Sequence, residues 1–152
     1  MEVADLDELE VALDAADGPV VVVFDVDNTR VRRGTAPADV ARTVAHTLDR
    51  FEAVAGVERV IMLTNGAPRG ATDIIAGGNR PWTARRRLGL SGGEKIWVVG
   101  DQVLTDGVLA RRFGGTFCYL VVTTVDEPRR QALMRRVGNV MAPLLFRPAR
   151  SR

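Results

Sequence analysis

Three short stretches carry side chains that could do chemistry together. Asp25-Val26-Asp27-Asn28-Thr29 follows the apolar run of residues 20–24, Thr64-Asn65-Gly66 follows residues 57–63, and Gly100-Asp101-Gln102, with Asp106 close behind, follows residues 96–99. Carboxylates can attack an electrophile, transfer a proton or hold a cation. Asp25, Asp27, Asp101 and Asp106 would repel one another if packed without compensation. A hard cation with oxygen ligands relieves that repulsion, and Mg²⁺ is the natural candidate beside phosphate. Asp25 and Asp27 stand two apart at the point where a strand would end. The chain can turn there and aim both at one reacting centre, one to attack and one to move a proton.

The flanking sequence supplies elements that would bring these stretches together. Leu6, Leu9, Leu13 and Ala16 recur at helical spacing over residues 5–16, and Gly18-Pro19 ends that pattern. Residues 20–24 form a continuous β-branched run, suited to a strand covered on both faces. A second helix is expected over residues 39–55, with Val40, Val44, Leu48 and Phe51 on one stripe. Strands follow at 57–63, 96–99 and 116–122. Helices are expected at 81–88, 105–113 and 127–145, and a Gly-rich stretch spans 66–79. This alternation predicts one domain over residues 1–152, of the α/β class: a three-layer α/β/α, Rossmann-like core with a mainly parallel sheet. The carboxyl ends of parallel strands share one edge, where such sheets bind ligands. Three carboxylates and a Thr-Asn pair then converge on one crevice.

Composition narrows the function further. The formal net charge is +2, and Lys95 is the only lysine among 21 basic residues. So mild a balance gives no reason to expect nucleic acid. Charge is nevertheless uneven: Glu2, Asp5, Asp7, Glu8, Glu10, Asp14 and Asp17 crowd the start, and Arg129, Arg130, Arg135, Arg136, Arg147, Arg150 and Arg152 the end. Cys118 is the single cysteine, in an apolar run that makes it a buried core thiol. One cysteine and one histidine, His46, cannot build a zinc site, and His46 falls on the polar side of its helix. The acidic first residues lack a signal core, and no apolar run reaches the ~20 residues of a membrane span. A cytoplasmic protein is expected.

The Asp-X-Asp-Asn-Thr run at 25–29, Thr64-Asn65, and Gly100-Asp101 with Asp106 resemble motifs one, two and four of the haloacid dehalogenase superfamily, in order, across residues 20–125. The resemblance implies a phosphomonoester hydrolase that requires Mg²⁺ and forms an aspartyl-phosphate. Asp25 is then the nucleophile. Asp27 protonates the leaving alcohol and afterwards activates water. Thr64 and the Asn65 amide hold phosphoryl oxygens. Asp25, the Asp27 carbonyl, Asp101 and Asp106 form the metal site. Members acting on phosphate esters carry the second aspartate and dehalogenases lack it, so Asp27 favours phosphate chemistry. Thr29 is expected to brace the loop.

The third motif of that superfamily usually supplies a lysine. Lys95 starts a strand whose far end leads to Asp101, which puts it roughly 20 Å from the crevice at ~3.3 Å per residue. Arg80-Pro81 stands instead where Lys-Pro is expected. Arginine keeps the charge and can grip phosphate bidentately, so Arg80 is both a catalytic and a substrate-binding candidate. Residues 29–39 and 66–80 are too short for a cap domain, which predicts an open site suited to a bulky phosphorylated substrate or walled by a homo-oligomer. The absent cap and Gly100-Asp101-Gln102-Val103-Leu104-Thr105-Asp106 resemble the YqeG-like, phosphatidylglycerophosphate phosphatase-like group, from which Arg30 departs by replacing an apolar residue. Leu133, Val137, Val140, Met141, Leu144 and Leu145 form a stripe beside Arg130, Arg135 and Arg136. The favoured expectation is that this stripe packs on the core, although such a basic helix can also make peripheral contact with an anionic membrane. Two alternatives to the bulky-ester phosphatase are a soluble, sugar-phosphate-type phosphatase closed by oligomerisation, and a non-catalytic binding protein with Arg80 in place of lysine.

Overall fold

The run Val-Val-Val-Val-Phe-Asp at 20–25 is buried at every position. A strand with both faces covered belongs at the centre of a parallel sheet, and a computed structural model places it there. The structure describes residues 2–3, 5–27, 29–31, 35–66, 71–76, 81–120, 133, 136–138 and 140–141. The strands are β1 (Glu2–Val3), β2 (Val20–Asp25), β3 (Val57–Leu63), β4 (Ile74–Ile75), β5 (Lys95–Gly100) and β6 (Thr116–Leu120). They lie in the order β1-β6-β5-β2-β3-β4, and every pairing is parallel.

The alternation of side chains along β2 sorts the core into two layers. Val20, Val22 and Phe24 pack with Leu9 and Leu13 of α1 (Leu6–Asp14) and with Val40, Val44 and Phe51 of α2 (Pro37–Glu52). Val21 and Val23 face the opposite way. They pack with Leu88 of a 3-10 turn (Arg85–Leu88), Leu109 and Ala110 of α3 (Val108–Arg112), and Phe113. The expected three-layer α/β arrangement is therefore present. Asp5 caps α1 by accepting from the Asp7 and Glu8 amides at 2.9 and 3.0 Å, which satisfies two orphan donors of the first turn. Pro37 opens α2 with its φ already helical. Arg50 ties the two helices by pairing with Asp7 and Glu10, and those hydrogen bonds raise its pKa.

The differences from the sequence expectations have local causes. The first two-residue strand and β4 are too short to leave a periodic signal, and β4 lies within the Gly-rich stretch. The Arg-rich helix expected at 81–88 shrinks to the 3-10 turn, closed by Gly89 at φ +65°, a conformation glycine adopts without steric cost. The helix expected at 105–113 is a π-helical turn (Val103–Gly107) followed by α3. Lys95 Nζ donates to the Asp17 carbonyl at 2.6 Å, at the amino end of β5. Cys118 is fully buried, and burial pushes its thiol pKa up to about 12. His46 is exposed. Among the described residues, no helix is long and apolar enough to cross a membrane.

The last helix needs a correction. Of residues 127–145, the structure describes 133, 136–138 and 140–141 as helical; Arg130, Arg135, Leu144 and Leu145 lie outside the described residues. Gly138 is the buried position, and a methyl group there would press on Val103 and Leu104. Leu133 is 61 % exposed and Val140 76 % exposed, with Val137 and Met141 also at the surface. These four stripe residues do not pack on the core, because glycine makes the close contact and turns the larger apolar side chains outward.

Arg30 is half-buried and its Nε donates to Thr47 Oγ1 at 3.0 Å. Burial and the neighbouring Arg50 cation lower its pKa, and no carboxylate pairs with it among the described residues. Thr47 remains satisfied without Arg30, since its hydroxyl donates to the Thr43 carbonyl at 2.7 Å. Arg30→Met should therefore leave thermal stability unchanged or higher, because it removes a partly desolvated cation at the cost of one hydrogen bond worth ~1 kcal/mol. A loss clearly above that value in denaturant unfolding would show that the cation has a partner.

Candidate functional site

Asp25 ends β2, the central strand, and is 3 % exposed. Asp101 follows β5 directly, and Asp106 lies in the π-helical turn beyond it; both are buried. Since β2 and β5 are neighbours in parallel register, their carboxyl ends deliver these residues to one place. One carboxylate oxygen from each of Asp25, Asp101 and Asp106 lies within 4.8 Å of the other two.

The surrounding chain holds this trio. The Thr29 hydroxyl lies 3.4 Å from Asp25 Oδ2 and 3.5 Å from Asp101 Oδ1, so the loop-bracing residue touches two of the carboxylates. The loop carrying Thr29 turns back because the Arg30 and Val31 amides both donate to the Val26 carbonyl. Asp106 Oδ2 accepts from the Gln102 amide at 3.2 Å. Gly100 is required for this approach: any Cβ there would collide with the Asp106 carboxyl group.

Beside the trio, the Thr64 hydroxyl donates to Asp27 Oδ2 and accepts from the Gly66 amide at 3.0 Å. Thr64 is buried, Asp27 half-buried and Asn65 exposed. The Thr64 amide donates to the Ile75 carbonyl at 3.2 Å, so the short strand β4 steadies the end of β3. The sequence reasoning missed this role of the Gly-rich stretch. The Asp27 carboxylate is directed to Thr64, while the carboxylate trio is Asp25, Asp101 and Asp106. Asn28 and Arg80 lie outside the described residues.

No family model, curated protein or solved structure matches this chain. What the residues can do must be read from their chemistry. Three buried carboxylates at this spacing offer only hard oxygen donors, the set that suits Mg²⁺ and not a thiolate- or imidazole-seeking ion. Arg30, which departs from the resembled pattern, sends its guanidinium to Thr47 of α2 and so leaves the loop after Asp25 without placing a cation on the carboxylates.

A divalent cation should raise the melting temperature of the wild type, since a ligand at a hundred times its Kd stabilises by about 2.7 kcal/mol. Asp101→Asn should melt at or above the wild type without metal, because repulsion is relieved, and lose the Mg²⁺-induced rise. An undiminished rise in Asp101→Asn would remove this residue from the metal site. Gly100→Ala should destabilise by several kcal/mol, as overpacking against an immovable group does, and Gly100→Ala with Asp106→Ala should recover part of that loss in the same unfolding measurement.

Proposed function

We propose that this protein is a Mg²⁺-dependent phosphomonoester hydrolase acting through an aspartyl-phosphate on Asp25. The observation that carries the reading is the buried Asp25, Asp101 and Asp106 cluster at the carboxyl edge of a parallel sheet, with Asp27 and Thr64 bonded to each other beside it. Its specific substrate class is a bulky phosphate ester, with phosphatidylglycerophosphate the first to try.

When bound, Mg²⁺ would be held by Asp25, Asp101 and Asp106 and the Asp27 carbonyl, and would offset the charge that otherwise keeps a carboxylate from an anionic phosphoryl group. Asp25 attacks phosphorus, and the bond to the leaving oxygen breaks as Asp27 supplies its proton. The Thr64 hydroxyl has one proton, at present given to Asp27. A phosphoryl oxygen competes for that proton, and accepting it frees Asp27 to turn toward the leaving oxygen. Asp27 then takes a proton from the water that hydrolyses the aspartyl-phosphate, regenerating Asp25. Arg80 is assigned the countercharge on the phosphoryl oxygens.

Phosphate release from an aryl phosphate and from phosphatidylglycerophosphate should require Mg²⁺ and fall to background with chelator or in Asp25→Asn. Asp27→Asn should cost about 10²–10⁴-fold, the usual worth of a positioned acid–base group, and the loss should be smaller for an aryl ester whose leaving group needs no proton. A folded, metal-binding wild type that releases no phosphate from either ester would favour the non-catalytic binding protein.

A further inference from the structure

Six large apolar side chains are exposed among the described residues: Val11, Trp82, Leu133, Val137, Val140 and Met141. Five of them belong to one side of the sheet. Trp82 lies next to α3, where the Arg112 guanidinium stacks on its ring at 5.1 Å and donates to the Pro81 carbonyl. The other four sit on the helical segment that Gly138 seats against Val103 and Leu104, and Val103 belongs to the same core layer as α3. At 100° per residue, positions 133, 137, 140 and 141 form one continuous stripe, flanking the contact made by Gly138.

Two segments on this side carry charges of one sign, although Glu94 lies 3.7 Å from Arg85. Residues 81–90 and 108–115 contain Arg85, Arg86, Arg87, Arg111 and Arg112 and no acidic residue. Arg86, Arg87, Arg111, Arg112 and Arg136 are exposed. The opposite side carries α1, where Asp5, Asp7, Glu8, Glu10, Asp14 and Asp17 stand without a basic residue in the same stretch. The net charge of +2 hides this contrast between the two segments and α1, of whose acids Asp7 and Glu10 pair with Arg50 of α2.

We propose that the protein docks on an anionic lipid bilayer through the side of the sheet that carries α3. Trp82 and the Leu133/Val137/Val140/Met141 stripe enter the interfacial region, and the arginines meet the headgroups. A tryptophan beside cationic side chains suits that boundary, with its ring in the apolar zone and its edge in the wet one. A bilayer fits better than the other occupants. A strand of nucleic acid would use the arginines and Trp82 but leave the aliphatic stripe in water. A second copy pairing stripe to stripe would bring two Arg136 cations together. The acidic α1 side is repelled by an anionic surface, so one orientation is selected. This docking goes beyond the hydrolase reading and stands without it.

Co-sedimentation with phosphatidylcholine vesicles, with or without phosphatidylserine, tests the proposal. Binding is expected only with phosphatidylserine and should weaken as salt is raised. Val137→Asp/Val140→Asp and Arg86→Glu/Arg136→Glu should each reduce it at least tenfold. All four positions are exposed, so melting temperatures should hold. Val11→Asp, on the other side, should bind like the wild type, as should Asp25→Asn, which separates docking from turnover. The chain holds two tryptophans, and Trp97 is buried, so in Trp97→Phe the emission reports Trp82 and should shift to the blue on anionic vesicles. If Trp97→Phe does not fold, the sedimentation series decides alone. No binding to phosphatidylserine vesicles at low salt, binding unaffected by the stripe or arginine changes, a stripe-dependent dimer in sedimentation equilibrium, or tighter binding to an oligonucleotide would each overturn the proposal.

Discussion

Mutual repulsion among Asp25, Asp101 and Asp106 is the constraint on which the site depends. Three buried carboxylates within 4.8 Å of one another are costly to ionise together, and burial removes the water that would screen them. The fold nevertheless holds them there. The central strand presents Asp25, the adjacent strand presents Asp101, Gly100 clears space for Asp106, and Thr29 reaches across to two of the three. A divalent cation, where one binds, would relieve that repulsion.

The same edge of the sheet separates roles by environment. The carboxylates of Asp25, Asp101 and Asp106 are buried, whereas Asp27 is half-buried and hydrogen-bonded to Thr64. Asp25 and Asp27 stand two residues apart, yet across the turn closed on the Val26 carbonyl one carboxylate joins Asp101 and Asp106 and the other meets Thr64. Thr64 is steadied in turn by β4 through Ile75. In this account, a strand of two residues serves to fix the end of β3 where the phosphoryl group would lie.

Much of this was legible in the sequence because the relevant signals are strong and local. The apolar run at 20–24 suits a covered strand, and polar residues directly after three such runs are expected to meet at one edge of a parallel sheet. Of the four carboxylates singled out, Asp25, Asp101 and Asp106 come together, while that of Asp27 meets Thr64. Other features depend on tertiary contacts with no periodic trace. β1 and β4 are too short to show a pattern. The π-helical turn at 103–107 carries the buried Asp106 and has no periodic signature of its own. The exposure of the last apolar stripe could not be read from its amphipathic pattern, since that pattern is the same whether the stripe meets the core or a partner. Gly138 takes the buried position, where a methyl group would press on Val103. Arg30 departs from the resembled pattern, and the sequence did not show that its guanidinium goes to Thr47.

The central claim is that Asp25 becomes covalently phosphorylated in a metal-dependent step. The most direct measurement is rapid acid quenching of the Mg²⁺-loaded protein during turnover of an aryl phosphate, followed by mass spectrometry of the peptide containing Asp25. The account predicts a phosphorylated peptide with the modification on Asp25, absent with chelator and absent in Asp25→Asn. Sustained Mg²⁺-dependent phosphate release with no phosphorylated Asp25 at any quench time, and undiminished release in Asp25→Asn, would contradict it.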